Sequence, residues 1–239
     1  MLIDLLIGLS VGALVLGAAI AALLVAREAA STVAEMSLLQ EQAPHALRML
    51  GLQIRPAGSI ELQASRGTAG SFQVAAAAPL PGAGTAVVQG KDGVMGAGDS
   101  LRVVRTSSNA PGQQEDCLGQ EIAPGERMEA SFDVDAKGAL RCRGASQPQP
   151  LVTGVSGFRL RYRVRQGEQA RDLRASEVEA GQLWPEVVAV EVCLDLRGEE
   201  RSSTHEARYI DCNAQQVTNG GRLHLVTRKL FQLRTRQEN

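Results

Sequence analysis

An α+β fold is what this 239-residue sequence predicts: one long N-terminal helix, apolar and then amphipathic, packed on an antiparallel β-sheet domain. Three observations carry the prediction. No charged residue occurs from Leu5 to Ala26. Apolar residues then recur at steps of three and four as far as Ile54, the period of a helix with one buried face. Beyond Pro56 the pattern changes to short segments in which apolar and polar residues alternate, separated by Gly, Pro, Asn and Asp.

The 22 residues of the uncharged run measure about 33 Å as a helix, enough to cross the hydrocarbon core of a bilayer. Asp4 stands just ahead of it. A carboxylate costs about 2.5–3.5 kcal/mol at the centre of a membrane, so its position calls for a purpose or a partner. No Lys or Arg precedes the run and the first basic residue is Arg27, which argues against a cleaved secretory signal. The same placement is awkward under the positive-inside rule, and residues upstream of Met1 are therefore expected. Gly8 and Gly12 form a G-x-x-x-G pair that permits close helix packing.

After Ala26 the stripe Met36, Leu39, Ala43, Leu47, Leu50, Ile54 continues the helix, with Arg27, Glu28, Glu35, Glu41 and Arg48 mostly off it. Pro44 is expected to kink the helix, and Pro56 and Gly58 to end it. The expected organisation is a stem helix over residues 1–58, transmembrane in 5–26, and a β-rich domain over 59–239.

In the second region short apolar pieces fall at Ser59–Gln63, Phe72–Ala76 and Ala86–Gln89, and a firmer strand at Ser100–Thr106. Met128–Val134 and Ala139–Arg143, joined through Asp135-Ala136-Lys137-Gly138, predict a hairpin. Phe158–Arg165 alternates apolar and basic residues, which buries one face and puts Arg159, Arg161, Arg163 and Arg165 on the other. Glu191 and Asp195 on the following strand, Val187–Leu196, are the expected partners of that ladder. The last strand is expected within Arg222–Thr235, with Leu223, Leu225, Leu230 and Leu233 as its apolar residues and a register break between them.

Composition limits the function classes. A net charge of −1 gives no bulk electrostatic case for nucleic acid, and 3% aromatic residues make a poor base-stacking platform. The four cysteines, Cys117, Cys142, Cys193 and Cys212, form no C-x-x-C pair and have no His at ligand spacing, which argues against zinc. An even number behind an apolar segment reads as two disulfides made in an oxidising compartment. Cys193 points away from the apolar face of its strand, where the loop residue Cys212 can reach it; Cys117 would then tie to Cys142. Three pairings remain formally open. Gly84–Asp92 has five residues between its glycines where a phosphate-binding loop needs four, and Asp92 where it needs Ser or Thr. Asp133–Gly144 begins like a calcium loop but lacks its twelfth-position carboxylate. His45, His205 and His224 join no nucleophile–base arrangement, so neither catalysis nor a cofactor is expected.

An apolar start carrying one acid, continuous with a long amphipathic helix and followed by a β domain, resembles the type IV pilin family. Leu2-Ile3-Asp4-Leu5-Leu6 matches that family's L-I-E-L-L, with Asp4 in place of the Glu at the fifth mature position. Leu39-Gln40-Glu41, Arg55-Pro56-Ala57-Gly58, Asp99-Ser100-Leu101, Asp116-Cys117-Leu118-Gly119, Gly138-Ala139-Leu140-Arg141-Cys142-Arg143 and Pro150–Val155 are similar to landmarks of PilW-type minor pilins. The chain departs from the family in lacking the Gly–Phe cleavage junction and the basic leader, so Met1 corresponds to the second mature residue. The resemblance implies a minor pilin that primes or joins pilus assembly. It would be held in the inner membrane by a single span, cut by a prepilin peptidase, and partnered with other minor and major pilins. In the family the acid neutralises a neighbouring subunit's N-terminal amine, the role implied for Asp4. A type II secretion pseudopilin of the GspJ type and a DNA-uptake pilus component are the close alternatives. A membrane-anchored periplasmic binding domain is the alternative of another class.

Overall fold

The computed structural model describes residues 2–59, 62–66, 72–76, 86–94, 97–108, 114–201 and 207–233. Helix α1 runs from Leu2 to Ile54, 53 residues without interruption. It continues through Pro44, which lies on the solvent side, so the carbonyl freed by the missing N–H faces water and no break follows. The helix stops where Gly58 adopts φ 75° and hands its N–H to the Val104 carbonyl at 2.8 Å, binding the end of the stem to a strand.

The strands in chain order are β1 (Leu62–Arg66), β2 (Phe72–Ala76), β3 (Val88–Lys91), β4 (Ser100–Thr106), β5 (Arg127–Val134), β6 (Leu140–Arg143), β7 (Gln149–Val152), β8 (Val155–Gln166), β9 (Gln169–Leu173), β10 (Val187–Arg197), β11 (Arg208–Ile210), β12 (Gln216–Thr218) and β13 (His224–Gln232). A short helix α2 (Ala175–Ala180) and a 3-10 turn at Trp184–Glu186 lie between β9 and β10. All strand pairs in the described residues are antiparallel. One sheet has the order β13-β10-β8-β9 and a second β3-β4-β5-β6-β7, with β1-β2 and β11-β12 as separate hairpins. The result is the α+β layout expected: a long helix on antiparallel sheets.

One face of the stem's second half packs on the first sheet. Leu39, Ala43, Leu47, Leu50 and Ile54 are buried, with Ala46 beside them, while Met36 is half-buried. They meet Val190, Val192, Leu194, Leu196 and Phe231 in one core with Leu101, Phe132 and Leu140 of the second sheet. Gly51 permits the close approach: a methyl there would stand 2.6 Å from the Phe231 ring.

Gly90 on β3 meets the same requirement for Tyr162. A methyl on Gly90 would lie 1.8 Å from the Tyr162 hydroxyl oxygen. That oxygen is fully buried and without a hydrogen-bond partner, and burial pushes the phenol well above its ordinary pKa. Gly90→Ala is expected to cost about 1–3 kcal/mol by overpacking. Tyr162→Phe alone is expected to be neutral or slightly stabilising, because it removes an unsatisfied buried group. In the Phe background the Gly90→Ala loss should shrink but persist, because the ring Cζ would still stand 2.7 Å from the added methyl. Thermal midpoints of the four chains check this, and an equal loss in both backgrounds would locate the clash in the ring carbon or the Ser100 carbonyl and not in the hydroxyl.

Several elements differ from the sequence expectations. The expected piece Ser59–Gln63 overlaps β1 at Leu62 and Gln63, with residues 60 and 61 outside the described residues. The last strand spans His224–Gln232, and its residue opposite Val190 is Phe231, so Phe231 enters the core while Leu230 lies opposite Glu191 on the outer face. β7, β9, α2, β11 and β12 were not anticipated. β7 carries Pro150, an edge-strand signature, and β9 (QARDL) has no apolar alternation to read.

Candidate assembly surface

The described side chains in the first half of α1 are all exposed. Ile3, Leu14 and Val25 are 71%, 74% and 69% exposed, and the most apolar stretch of the helix has no buried residue. A contiguous apolar cylinder of this length is a surface awaiting lipid or another apolar helix. No atom comes within 4 Å of where a Cβ on Gly8 or Gly12 would stand, so that pair remains open to a neighbour. Asp4 lies exposed in the first turn, where the positive end of the helix dipole favours a carboxylate.

Glu35 fastens the stem to the β10–β11 connection. Its carboxylate accepts the Glu200 N–H at 2.8 Å and lies over Gly198, where a Cβ would stand 2.5 Å away. Arg222 holds the other side of the same loop by donating to the carbonyls of Gly198 and Glu199.

The arginine ladder of β8 separates into individual arrangements. Arg163 forms a forked pair with Asp172 of β9 at 2.8 and 2.9 Å, and this hydrogen bonding holds the Asp172 carboxyl below its usual range. Arg161 faces Glu191 in the strand register, whereas Arg159 pairs with Asp99 at 3.1 Å. Asp195 is not a partner of the ladder, because Gly157 stands opposite it. Instead its two oxygens meet the Tyr209 hydroxyl and His224 Nδ1, each at 3.0 Å, with the Tyr209 and His224 rings stacked at 4.3 Å. Burial, together with the Asp195 hydrogen bond, pushes the Tyr209 phenol well above its ordinary pKa. His45 lies exposed on α1, and His205 falls outside the described residues.

Two disulfides clip the domain. Cys117 bonds Cys142 with a Cα–Cα distance of 6.4 Å, and Cys193 bonds Cys212 at 5.6 Å. Asp116 explains the residues around Cys117. Its carboxylate accepts the N–H groups of Leu118, Gln120 and Ala145, and the turn closes through Gly119 at φ 76°. The segment once compared with a calcium loop is the β5–β6 turn, in which Asp135 accepts from the N–H groups of Lys137 and Ala139. Among the described residues no group of three His, Cys, Asp or Glu could hold a metal ion.

Asp99 is a joint that sequence reading noticed only as a landmark. Its N–H donates to the Phe158 carbonyl at 2.9 Å, and its carboxylate takes the Leu160 N–H at 2.7 Å and the Gly93 N–H at 2.9 Å. It thereby completes the stretch of β8 that β9 does not cover, and connects the two sheets.

Residues 126–239 match the family model described as type IV pilus-assembly protein W, PilW. A solved type IV-like pilin from Thermus thermophilus is similar over 82% of this chain and 95% of its own, at 17% identity and a TM-score of 0.47. No curated protein matches the sequence. The matched residues take in β5 to β13, and the long uncovered apolar helix precedes them.

Proposed function

We propose that this chain is a minor pilin-like subunit that primes or joins assembly of a type IV pilus, acting by binding and nucleation. The observation that carries the reading is the PilW match on a chain whose stem presents an uncovered apolar half and a buried amphipathic half in one helix. The uncovered half holds the subunit in the inner membrane as a single span and later packs among the helices of other minor and major pilins. The β domain faces the periplasm and neighbouring subunits. Asp4 is the counterpart of the family's acidic residue and pairs with a neighbour's N-terminal amine. The prepilin peptidase acts on the precursor.

The test is mass spectrometry of the mature N-terminus in the native host, with the full upstream reading frame, together with filament incorporation of Asp4→Ala. The expected result is a methylated residue immediately before Met1. The variant should remain in the membrane and be depleted at least about tenfold from sheared filaments, the loss of one charge pairing in an apolar setting. An unmodified Met1 start, a cut near Ala26, or normal incorporation of the variant overturns the reading.

A further inference from the structure

On the outer side of the first sheet, four chain segments converge on a small polar cleft of about 130 Å³: the β3–β4 connection, β8, the start of α2 and the tip of the β11–β12 hairpin. That volume corresponds to roughly four water molecules, or one oxyanion with its hydrogen-bonded shell. Three guanidinium-bearing residues line it, Arg159, Arg161 and Arg174, with Asn213 of the hairpin turn. Two carboxylates, Asp92 and Asp99, also line it, so the decisive question is which charges are already spent.

Both carboxylates are. Asp92 accepts the Ala175 and Ser176 N–H groups through separate oxygens, each at 3.0 Å. Burial alone would raise its pKa, but those hydrogen bonds and the charge of Arg174 outweigh it and hold the carboxyl below its usual range. Asp99 has one oxygen on the Leu160 N–H and the other on the Gly93 N–H and Arg159. Arg159 is in turn fixed by the Ala97 carbonyl at 2.6 Å and the Asn213 side-chain oxygen at 3.2 Å. It forms a rigid wall of the cleft.

Arg161 and Arg174 differ. Neither takes part in an ion pair among the described residues, although Arg161 has Glu191 opposite in register. They reach the cleft from two different elements, so their spacing is set by the docking of α2 on β8 and not by one flexible loop. Arg174 lends its charge to Asp92 from a distance, yet neither guanidinium has its N–H donors committed to a carboxylate among the described residues. Two such forks flanking a recess whose acids already accept other donors can take a planar or tetrahedral oxyanion in bidentate fashion.

We propose that this cleft binds a small oxyanion, a carboxylate or phosphate group, through Arg161 and Arg174, with Arg159 as the fixed wall. The inference goes beyond the assembly reading and does not depend on it. Isothermal titration of the full chain in detergent micelles tests it, using inorganic phosphate and sodium acetate separately at matched ionic strength. The comparison chains are Arg161→Gln/Arg174→Gln and a remote control, Arg127→Gln on β5. Saturable one-to-one binding of either probe is expected, weakened roughly ten- to a hundredfold in the double variant and unchanged in the control. Phosphate binding alone identifies a phosphate source, and acetate competing with it identifies a carboxylate. Both Arg161 and Arg174 are exposed, so the double variant should keep its thermal midpoint, read from the fluorescence of Trp184. No saturation of either probe up to about 50 mM, well beyond the millimolar range, overturns the proposal. So does binding that survives the double substitution.

Discussion

Asp99→Ala is expected to destabilise the full chain by about 3–5 kcal/mol, the range for removing one partner of a buried charged network. For a chain of this size that corresponds to a thermal midpoint lower by roughly 6–20 °C. The reason lies in what the carboxylate leaves behind. Without it the N–H groups of Gly93 and Leu160 lose their acceptor, and the Arg159 guanidinium loses its counter-charge. The Leu160 N–H is buried, so water does not replace the loss at no cost. Asp99→Asn should fall between, since an amide can still accept but turns a donor toward one of the backbone N–H groups. The contrast is Glu129→Ala. Arg102 and Glu129 form a close, forked pair, and hydrogen bonding from Arg102 is the main reason the Glu129 carboxyl is held low. Both partners are more than 40% exposed, so losing that pair should change stability by under about 1 kcal/mol. Circular dichroism melts in detergent micelles check both. Equal midpoints for the two alanine variants would mean that Asp99 does not join the sheets as described.

Opening either disulfide is the second large effect. The bridges close segments of 25 and 19 residues, worth about 3 kcal/mol each in the chain-entropy account. They tie different sheets, Cys142 on β6 and Cys193 on β10, so the two losses should add. Cys193→Ala/Cys212→Ala is expected to lower the midpoint by roughly 6–12 °C, and treatment with a reductant by about the sum of the two. The local outcomes should differ. The Cys117 loop keeps its Asp116 hydrogen bonds after reduction, whereas the β11–β12 hairpin retains exposed or half-buried side-chain bonds: Tyr209 on Asp195, Arg159 on Asn213 and Arg228 on the Asp211 carbonyl. Amide exchange in 207–218 should therefore rise more than in 114–122. The opposite order would show that the bridge, not Asp116, holds the first loop.

The parts of the fold legible in the sequence are those with a clear period. The stripe from Leu39 to Ile54 names the buried face of α1, and the alternation in β8 and β10 names their inner faces because one side of each strand must be apolar to enter the shared core. Signals fail where a segment is too short to show a period, as in β11 and β12, or where polar residues lie in an edge strand, as in β9. Phe231 shows the limit of reading leucines: one step of register decides which of two adjacent apolar residues is buried, and the pairing of Val190 with Phe231 sets that step. The candidate site was legible in the same uneven way. The apolar run and Asp4 stand out in composition alone. Asp99, Glu35 and the Asp195–Tyr209–His224 cluster do not, since each acts on at least one partner between 14 and 165 residues away.

The unbroken stem has a geometrical consequence. Because α1 is a single rod from the apolar end to Ile54, the azimuth of the β domain about the rod is geared to chain length. Each residue inserted between 27 and 34 would turn the sheets by about 100° and raise them by about 1.5 Å. Seven inserted residues would raise them by roughly 10 Å with a net turn of only about 20°. The compass bearing from which a neighbour meets the sheets is thus written in the number of residues below them.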